Sequence, residues 1–323
     1  MKNVAILALD NTLASTVTGP LDILGQAGVL WNQIAGVDPE PFFNVRIVSV
    51  DGKPVRCHNN VILDVQESIH DVQNTGLIII SSEDLNILDE MSKKVTPWLV
   101  DRFERGASIA SICTGAFLLA ETGLLDHKRA TTHWGYADLF RKRYPKVKLH
   151  LESLVTDEGN LFCSGGAHSY LDLSLYLVEK YCGYEVAVQC AKSLLLDMGR
   201  TSQTPYAIFE FQKNHQDRDI LKAQDWIEQH FSQEIILEEL ADLCSMSIRN
   251  FKRRFKKATG DTPLGYVQRF RIEAAKRLLQ KSRQGIEEIA YEAGYNDAGF
   301  FREIFKRYTG ISPASYRRKY QEA

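Results

Sequence analysis

The feature that most constrains this chain is a repeat inside its last ninety or so residues. Phe251, Phe255, Lys256, Thr259, Gly260, Pro263 and Tyr266 return fifty residues later as Phe301, Phe305, Lys306, Thr309, Gly310, Pro313 and Tyr316. Upstream, Leu237-Glu238-Glu239-Leu240-Ala241 is matched at a step of forty-nine by Ile286-Glu287-Glu288-Ile289-Ala290, so the second copy carries one extra residue between its two helical segments. Apolar positions exchange only for apolar ones. Such a pattern is a duplicated supersecondary unit.

Each copy reads as helix, tight turn, helix. Leu237, Leu240, Ala241 and Cys244 recur at i, i+3, i+4 and i+7, one apolar helix face. Ser247 then sits where the next helix needs an N-cap. That helix turns Ile248, Phe251 and Phe255 inward and Arg249, Asn250, Lys252, Arg253, Lys256 and Lys257 outward. In the second copy Gly294-Tyr295-Asn296-Asp297 supplies the turn. Its second helix buries Phe301 and Phe305 and exposes Arg302, Glu303, Lys306 and Arg307. Two helices joined by a tight turn, the second one amphipathic and basic outside, predict helix-turn-helix units for double-stranded DNA. Between them 264–281 reads as one connecting helix of roughly 27 Å, long enough to help set both second helices in successive major-groove segments about 34 Å apart.

Charge placement agrees. Residues from Arg218 onward hold 20 Lys and Arg against 15 Asp and Glu, whereas the preceding stretch holds 19 against 26. An acidic front and a basic rear suit a sensor joined to a module for a polyanion. The net charge of −2 conceals this division. Base-edge readers are expected at Arg249, Asn250, Lys252, Arg253, Arg302 and Glu303, with Ala298 and Gly299 leaving room for close approach or a thymine methyl. Phosphate contacts are expected from Lys256, Lys257, Lys306 and Arg307.

Residues of about 219–321 resemble the AraC/XylS DNA-binding domain, two tandem helix-turn-helix units on one chain. The second half carries the resemblance most closely, in Ile286-Glu-Glu-Ile-Ala, Gly294-Tyr-Asn-Asp, Phe301, Phe305, Gly310, Ser312-Pro313 and Tyr316-Arg317.

Residues 1–200 alternate short β-rich runs with helical stretches. Strands are predicted at 4–9, 43–50, 77–81, 108–113, 129–132, 147–150 and 161–164, and helices at 20–30, 83–105 with an interruption near Pro97, 116–122, 170–180 and 185–198. The alternation predicts an α/β fold, a doubly wound, mostly parallel sheet with helices on both faces, ahead of an all-α domain. The polar stretch 201–218 reads as a linker, with local order around 206–211. The domain division is therefore 1–200, linker 201–218 and 219–323.

The strand ending at Cys113-Thr114-Gly115 feeds directly into a helix. A residue on such a turn is presented at the C-terminal edge of the sheet, where open α/β sheets bind ligands. A helix N-terminus there would lower the thiol pKa and offer N–H groups to an anion. His133 and Trp134 follow in Ala130-Thr-Thr-His-Trp, and Gly165-Gly166 close another turn before His168. A Cys/His pair can perform nucleophilic hydrolysis when a third group orients the base.

This region resembles the PfpI/ThiJ-type, class I glutamine-amidotransferase-like domain, through Ile112-Cys-Thr-Gly-Ala-Phe-Leu-Leu-Ala-Glu-Thr-Gly-Leu-Leu125, Ala130-Thr-Thr-His-Trp134 and Ser164-Gly-Gly-Ala-His168. Joined to an AraC-type module, it is similar to a group of amidase-like bacterial regulators. The resemblance places Cys113 on the elbow cysteine and His133 on the histidine that follows it. The family's enzymes also carry a glutamate after the first strand; Ser15, or a neighbour in Ala14-Ser-Thr-Val17, falls there instead. A thiol without that carboxylate is a poor catalyst, so no catalytic residue is assigned. Ser15, Cys113, Thr114, His133, Trp134, Gly165, Gly166 and His168 become candidates for an effector pocket. A Cys113-dependent hydrolase or glyoxalase-like enzyme, and a redox sensor, are the competing readings. The resemblance further implies a homodimer that addresses RNA polymerase, activation as the expected sense, and a small-molecule effector, with a nitrogenous metabolite as the family-level guess.

The six cysteines (57, 113, 163, 182, 190 and 244) show neither a CxxC pair nor a His-containing ligand spacing. Neither a metal nor another cofactor is expected. The N-terminal residues lack a signal-peptide pattern, and no apolar run reaches the length of a membrane span. A cytoplasmic protein with reduced thiols is expected.

Overall fold

The computed structural model describes residues 1–207, 213 and 215–321. The chain divides into two compact units, Met1–Gln203 and Thr204–Ala323. The division falls within the stretch read as linker, after Gln203. Thr204–Tyr206 forms a single 3-10 turn. The local order expected over 206–211 falls, from residue 208 on, outside the described residues.

The first unit is built on a seven-stranded sheet. Its strands are β1 (Lys2–Leu7), β2 (Phe43–Ser49), β3 (Glu67–Ser68), β4 (Leu77–Ile80), β5 (Ser108–Ile112), β6 (Val155–Asp157) and β7 (Leu161–Ser164). They lie in the order β6-β7-β5-β4-β1-β2-β3. All neighbours pair parallel except β6 with β7. Burial on both faces explains the near-continuous apolar runs, because alternate residues feed different cores. Ala5, Leu7, Ile78, Ile80 and Ile109 enter one core, together with Leu88, Val95 and Leu99 of α2 (Leu88–Glu104) and Phe117–Ala120 of α3 (Gly115–Glu121). Val4, Ile6, Leu77, Ile79, Ala110 and Ile112 enter the other, against α1 (Ser15–Gln26), α4 (Tyr170–Cys182) and α5 (Tyr184–Ser193).

Several boundaries differ from the sequence reading, each for a local reason. The first helix starts at Ser15, not at Pro20, and carries Pro20 internally. Burial of Thr16, Val17, Pro20, Ile23 and Leu24 along one face outweighs the lost backbone hydrogen bond. The second helix starts at Leu88 rather than residue 83, because Glu83 is held in the loop by Thr114, and it runs through Pro97 without the expected interruption, held by the burial of Val95, Trp98 and Leu99. The last helix of the unit stops at Ser193, two residues before Leu195 takes a left-handed φ of 54°. Residues 129–130 and 148–149 pair with each other in a two-residue parallel ladder and do not join the main sheet.

The second unit contains α6 (Arg218–His230), α7 (Leu237–Leu243), α8 (Ile248–Thr259), α9 (Pro263–Lys281), α10 (Ile286–Glu292), α11 (Ala298–Thr309) and α12 (Pro313–Tyr320). The duplication is visible in its caps. Ser247 and Asp297 accept from the third residue of α8 and α11, and both helices end in a left-handed glycine, Gly260 at φ 78° and Gly310 at φ 75°. Thr262 and Ser312 then cap α9 and α12, each followed by proline at the first helical position. Even the internal bonds repeat: the Thr259 hydroxyl donates to Phe255 O, and that of Thr309 to Phe305 O. Two cores result. Phe251, Phe255, Tyr266 and Val267 pack with α6 and α7. Phe301, Phe305 and Tyr316 pack with Ile272, Ala275 and Leu279 from the far half of α9.

Candidate functional sites

At the C-terminal edge of the first sheet the chain makes a sharp elbow. Cys113 takes φ 57°, a left-handed value uncommon for a residue with a side chain. The backbone pins it there: Cys113 N donates to Ser164 O at 3.0 Å, and the Thr132 hydroxyl donates to Cys113 O at 2.9 Å. Gly115, two residues on, lies so close to β4 that a Cβ would collide with the Ser81 carbonyl. That approach is why glycine opens α3.

The elbow holds a thiol, and its surroundings keep that thiol protonated. Cys113 is 6% exposed. Burial pushes its pKa up to about 11, against weaker stabilisation from the Thr114 backbone and side chain. The helix N-terminus loses to desolvation here, contrary to the lowered pKa expected from sequence. His133 does not compensate. Its Nδ1 accepts from Gly135 N at 3.0 Å, burial lowers its pKa, and its ring stacks on Trp134 at 5.2 Å between centroids. Cys113 should therefore react with iodoacetamide at pH 7.5 about a hundredfold more slowly than an ordinary free cysteine, the ratio of thiolate fractions that a two-unit pKa rise implies. Alkylation at the free-cysteine rate, followed by peptide mass spectrometry, would contradict this and favour the redox-sensor or hydrolase alternative.

Where the enzymes of the resemblance carry a glutamate, a buried hydroxyl cluster stands. Thr12, Thr16, Ser81 and Ser82 are all at most 4% exposed. Thr16 Oγ1 lies 3.1 Å from Ser82 Oγ and donates to Leu13 O, while Thr12 Oγ1 lies 3.1 Å from Ser81 Oγ. Ser15 is half-buried beside this cluster at the first position of α1. The next residue in the loop, Glu83, is 6% exposed; its Oε1 accepts from Leu118 N of α3, and its Oε2 has no hydrogen-bond partner among the described residues. Glu83 N and O both bond the Thr114 hydroxyl, at 2.8 Å each. Sequence reasoning passed over Glu83, since one acidic residue between two serines and a helix carries no pattern.

The remaining candidates divide. Gly166 approaches His133, where an added Cβ would come to 3.4 Å of the ring. Gly165 is buried beneath Gln203, whose amide would lie 2.8 Å from a Cβ there. His168 points away and is exposed, its carbonyl accepting from Arg200. Farther along the same edge a cleft is lined by Asp10, Asn11, Pro54, Arg56 and Ile62, and Asn11 reaches Asp84 at 3.2 Å.

In the second unit, Arg249, Lys252, Arg253, Lys256 and Lys257 are exposed along α8, and Arg302, Glu303, Lys306 and Arg307 along α11. Asn250 is half-buried and accepts from Arg253 at 2.8 Å. Arg254, on the flank, is committed to Asp217 and Asp219 and serves the fold. Arg302 lies 3.6 Å from Glu287, an exposed pair that holds it only loosely. Gly299 is exposed and Ala298 half-buried. Two exposed aromatics, Tyr291 and Phe300, were not anticipated. Phe300 occupies the position of Asn250 in the first copy.

A duplicated helix-turn-helix unit with basic outward faces, following an α/β unit with a closed thiol elbow, defines a DNA-binding transcriptional regulator. The chain belongs to the DJ-1/PfpI family, whose pattern matches residues 2–180, and a helix-turn-helix domain, of the AraC type, is matched over residues 240–319. It is 25% identical over 279 residues to the HTH-type transcriptional regulator CdhR of Pseudomonas aeruginosa, covering 84% of this chain and 80% of that one. It is 30% identical over 217 residues to the HTH-type transcriptional regulator GlxA of Rhizobium meliloti, covering 66% of each. Among solved structures, Drosophila melanogaster DJ-1beta shares the fold of the first unit, with a TM-score of 0.51 at 20% identity over 60-odd per cent of this chain (61%) and 98% of that one. No helix among the described residues is long and apolar enough to cross a membrane.

Proposed function

We propose that the first unit is a small-molecule sensor without catalytic activity and that the second reads promoter DNA, the two acting as a cytoplasmic regulator, expected to activate as a homodimer that addresses RNA polymerase. The observation carrying the sensor reading is the elbow itself. A protonated, buried thiol, a histidine that is not its base and hydroxyls in place of the carboxylate leave a ligand site without a nucleophile. A metabolite library screened by thermal shift should yield a compound that stabilises the protein without being consumed. Turnover lost on Cys113→Ala would overturn the reading.

On DNA, Arg249, Arg253 and Arg302 are assigned to base edges and Lys256, Lys257, Lys306 and Arg307 to phosphates. Arg253→Ala should cost about 1–3 kcal/mol and relax selectivity at one base position. Lys257→Ala should weaken all duplexes alike and lower the slope of log affinity against log salt by about one. Both are measured by titrating labelled duplexes from a selected pool. Unchanged selectivity in Arg253→Ala would remove that residue from the base-reading set.

A further inference from the structure

The last residue of the first unit is also one of its most buried polar groups. Gln203 is 2% exposed, although it ends a chain segment and immediately precedes the second unit. Its amide is held at the sheet edge that carries the Cys113 elbow. Nε2 donates to Thr131 Oγ1 and to Thr132 O, each at 2.9 Å, and Oε1 accepts from Trp134 N at 3.2 Å. Gly165 makes room for it, since any side chain there would run into the amide. Thr132 in turn holds Cys113 O through its hydroxyl.

The polarity of this seat is selective. The Thr131 hydroxyl hydrogen is already donated to Ser153 O at 3.0 Å, so toward Gln203 that oxygen can only accept. The seat therefore presents two acceptors and one donor in fixed positions. A primary carboxamide or a urea satisfies all three. A carboxylate would set an oxygen against the Thr132 carbonyl, and a guanidinium or amidinium would leave Trp134 N without an acceptor; each mismatch buries an unpaired polar group.

The segment before Gln203 is a strap. Arg200 forms a two-pronged ion pair with Asp172, at 3.0 and 2.6 Å, and Thr201 O accepts from Leu154 N at 2.9 Å. Leu154 O accepts from Gly165 N, tying the strap to the same turn. Whatever takes the amide seat must release the end of the strap, and that end continues covalently into the DNA-binding unit.

We propose that Gln203 is a built-in occupant of the effector site, and that the effector carries a primary carboxamide or ureido group that takes its seat and frees the strap. This rests on the sensor reading above. The regulation follows from competition: the effector shifts the population from strap-seated to strap-released protein, by as much as it prefers the vacated seat.

The test uses the full chain with Gln203→Ala and, should that variant fold poorly, Gln203→Glu, which keeps the side-chain size but not the donor. Acetamide is the probe, with acetate and acetamidine as matched controls. Acetamide should raise the melting temperature of Gln203→Ala by about 3 °C as it saturates the seat, and the controls should not. Hydrogen exchange over 197–203 should be at least tenfold faster in either variant than in the parent, and should stay fast with acetamide bound, since acetamide fills the seat without holding the strap. Duplex affinity should change at least threefold in Gln203→Ala. Equal rescue by acetate or acetamidine, or none by any probe, overturns the assignment of ligand class. If a library compound still stabilises the parent protein in that case, the sensor reading survives and only the amide seat falls. Unchanged exchange and unchanged duplex affinity overturn the strap.

Discussion

Replacing Glu83 by Gln is expected to stabilise the first unit by about 3 kcal/mol at pH 7 and to flatten its pH dependence. Burial raises the Glu83 pKa from 4.5 to about 8; the bond from Leu118 N and the Arg143 charge oppose this, while Glu121 and Asp84 add to it. The sign follows from which state holds the proton. Below about pH 4.5 the carboxyl is neutral both folded and unfolded and costs nothing. From there up to about pH 8 the unfolded chain ionises while the folded one keeps its proton, so stability falls by about 1.4 kcal/mol per pH unit. Above about pH 8 the loss levels off. Glutamine has nearly the same shape, can still accept from Leu118 N and never ionises. The melting temperature at pH 7 should rise by roughly 10 °C for a unit of this size, and the gain should vanish near pH 4.5. Equal melting temperatures of the two proteins from pH 5 to 8 would show that Glu83 is ionised and solvated in the fold.

What the sequence disclosed and what it withheld follow from how far each signal reaches. The helical half was legible in its repeat, its apolar helix faces and its Ser247 cap, because its determinants are local. Caps at Ser247, Asp297, Thr262 and Ser312 and the left-handed glycines at 260 and 310 act over three or four positions, and the duplication displays each of them twice. Five of the seven sheet strands were legible, the central ones because Leu77–Ile80 and Ser108–Ile112 are buried along their whole length, whereas the short edge strands Glu67–Ser68 and Val155–Asp157 carry too few residues to show a pattern. The site was legible only in outline. Cys113, Gly165 and Gly166 stood out through turn chemistry, but the groups that decide what the elbow can do come from distant parts of the chain. Ser82 meets Thr16 across 66 positions, Glu83 meets Leu118 across 35, and Gln203 meets Thr131 across 72. Nothing in the composition of 201–218 distinguished a buried glutamine from its exposed neighbours. His168 is exposed while Gly165, three residues before it, is buried against Gln203, a difference that the run Ser164-Gly-Gly-Ala-His168 does not display.

Phe255→Ala and Phe305→Ala should each cost the second unit about 3–5 kcal/mol, and should do so as one cooperative loss. Both rings are fully buried, each meeting a tyrosine edge-to-face: Phe255 with Tyr266 at 5.4 Å, Phe305 with Tyr316 at 5.5 Å. Truncation removes the transfer energy and the aromatic contact and leaves a cavity. Local repetition alone would suggest that each half melts separately. The packing of α9 argues otherwise, since its first turns complete one core through Tyr266 and Val267 while Ile272, Ala275 and Leu279 complete the other. A continuous helix cannot lose its anchor at one end without weakening its register at the other. Either substitution should therefore lower the second unit's single transition by about 15 °C, since about 3–5 kcal/mol is large against the roughly 5–15 kcal/mol that holds a domain folded. Well below the new midpoint, duplex affinity should return to within about threefold of the parent, because neither phenylalanine reaches the exposed face that carries Arg249, Arg253 and Arg302. Arg253→Ala should do the reverse, changing selectivity with its melting point unmoved. Hydrogen exchange in the full-length protein showing α8 and α11 opening independently, or selectivity altered by Phe305→Ala in the cold, would mean that the shared helix does not couple the two halves.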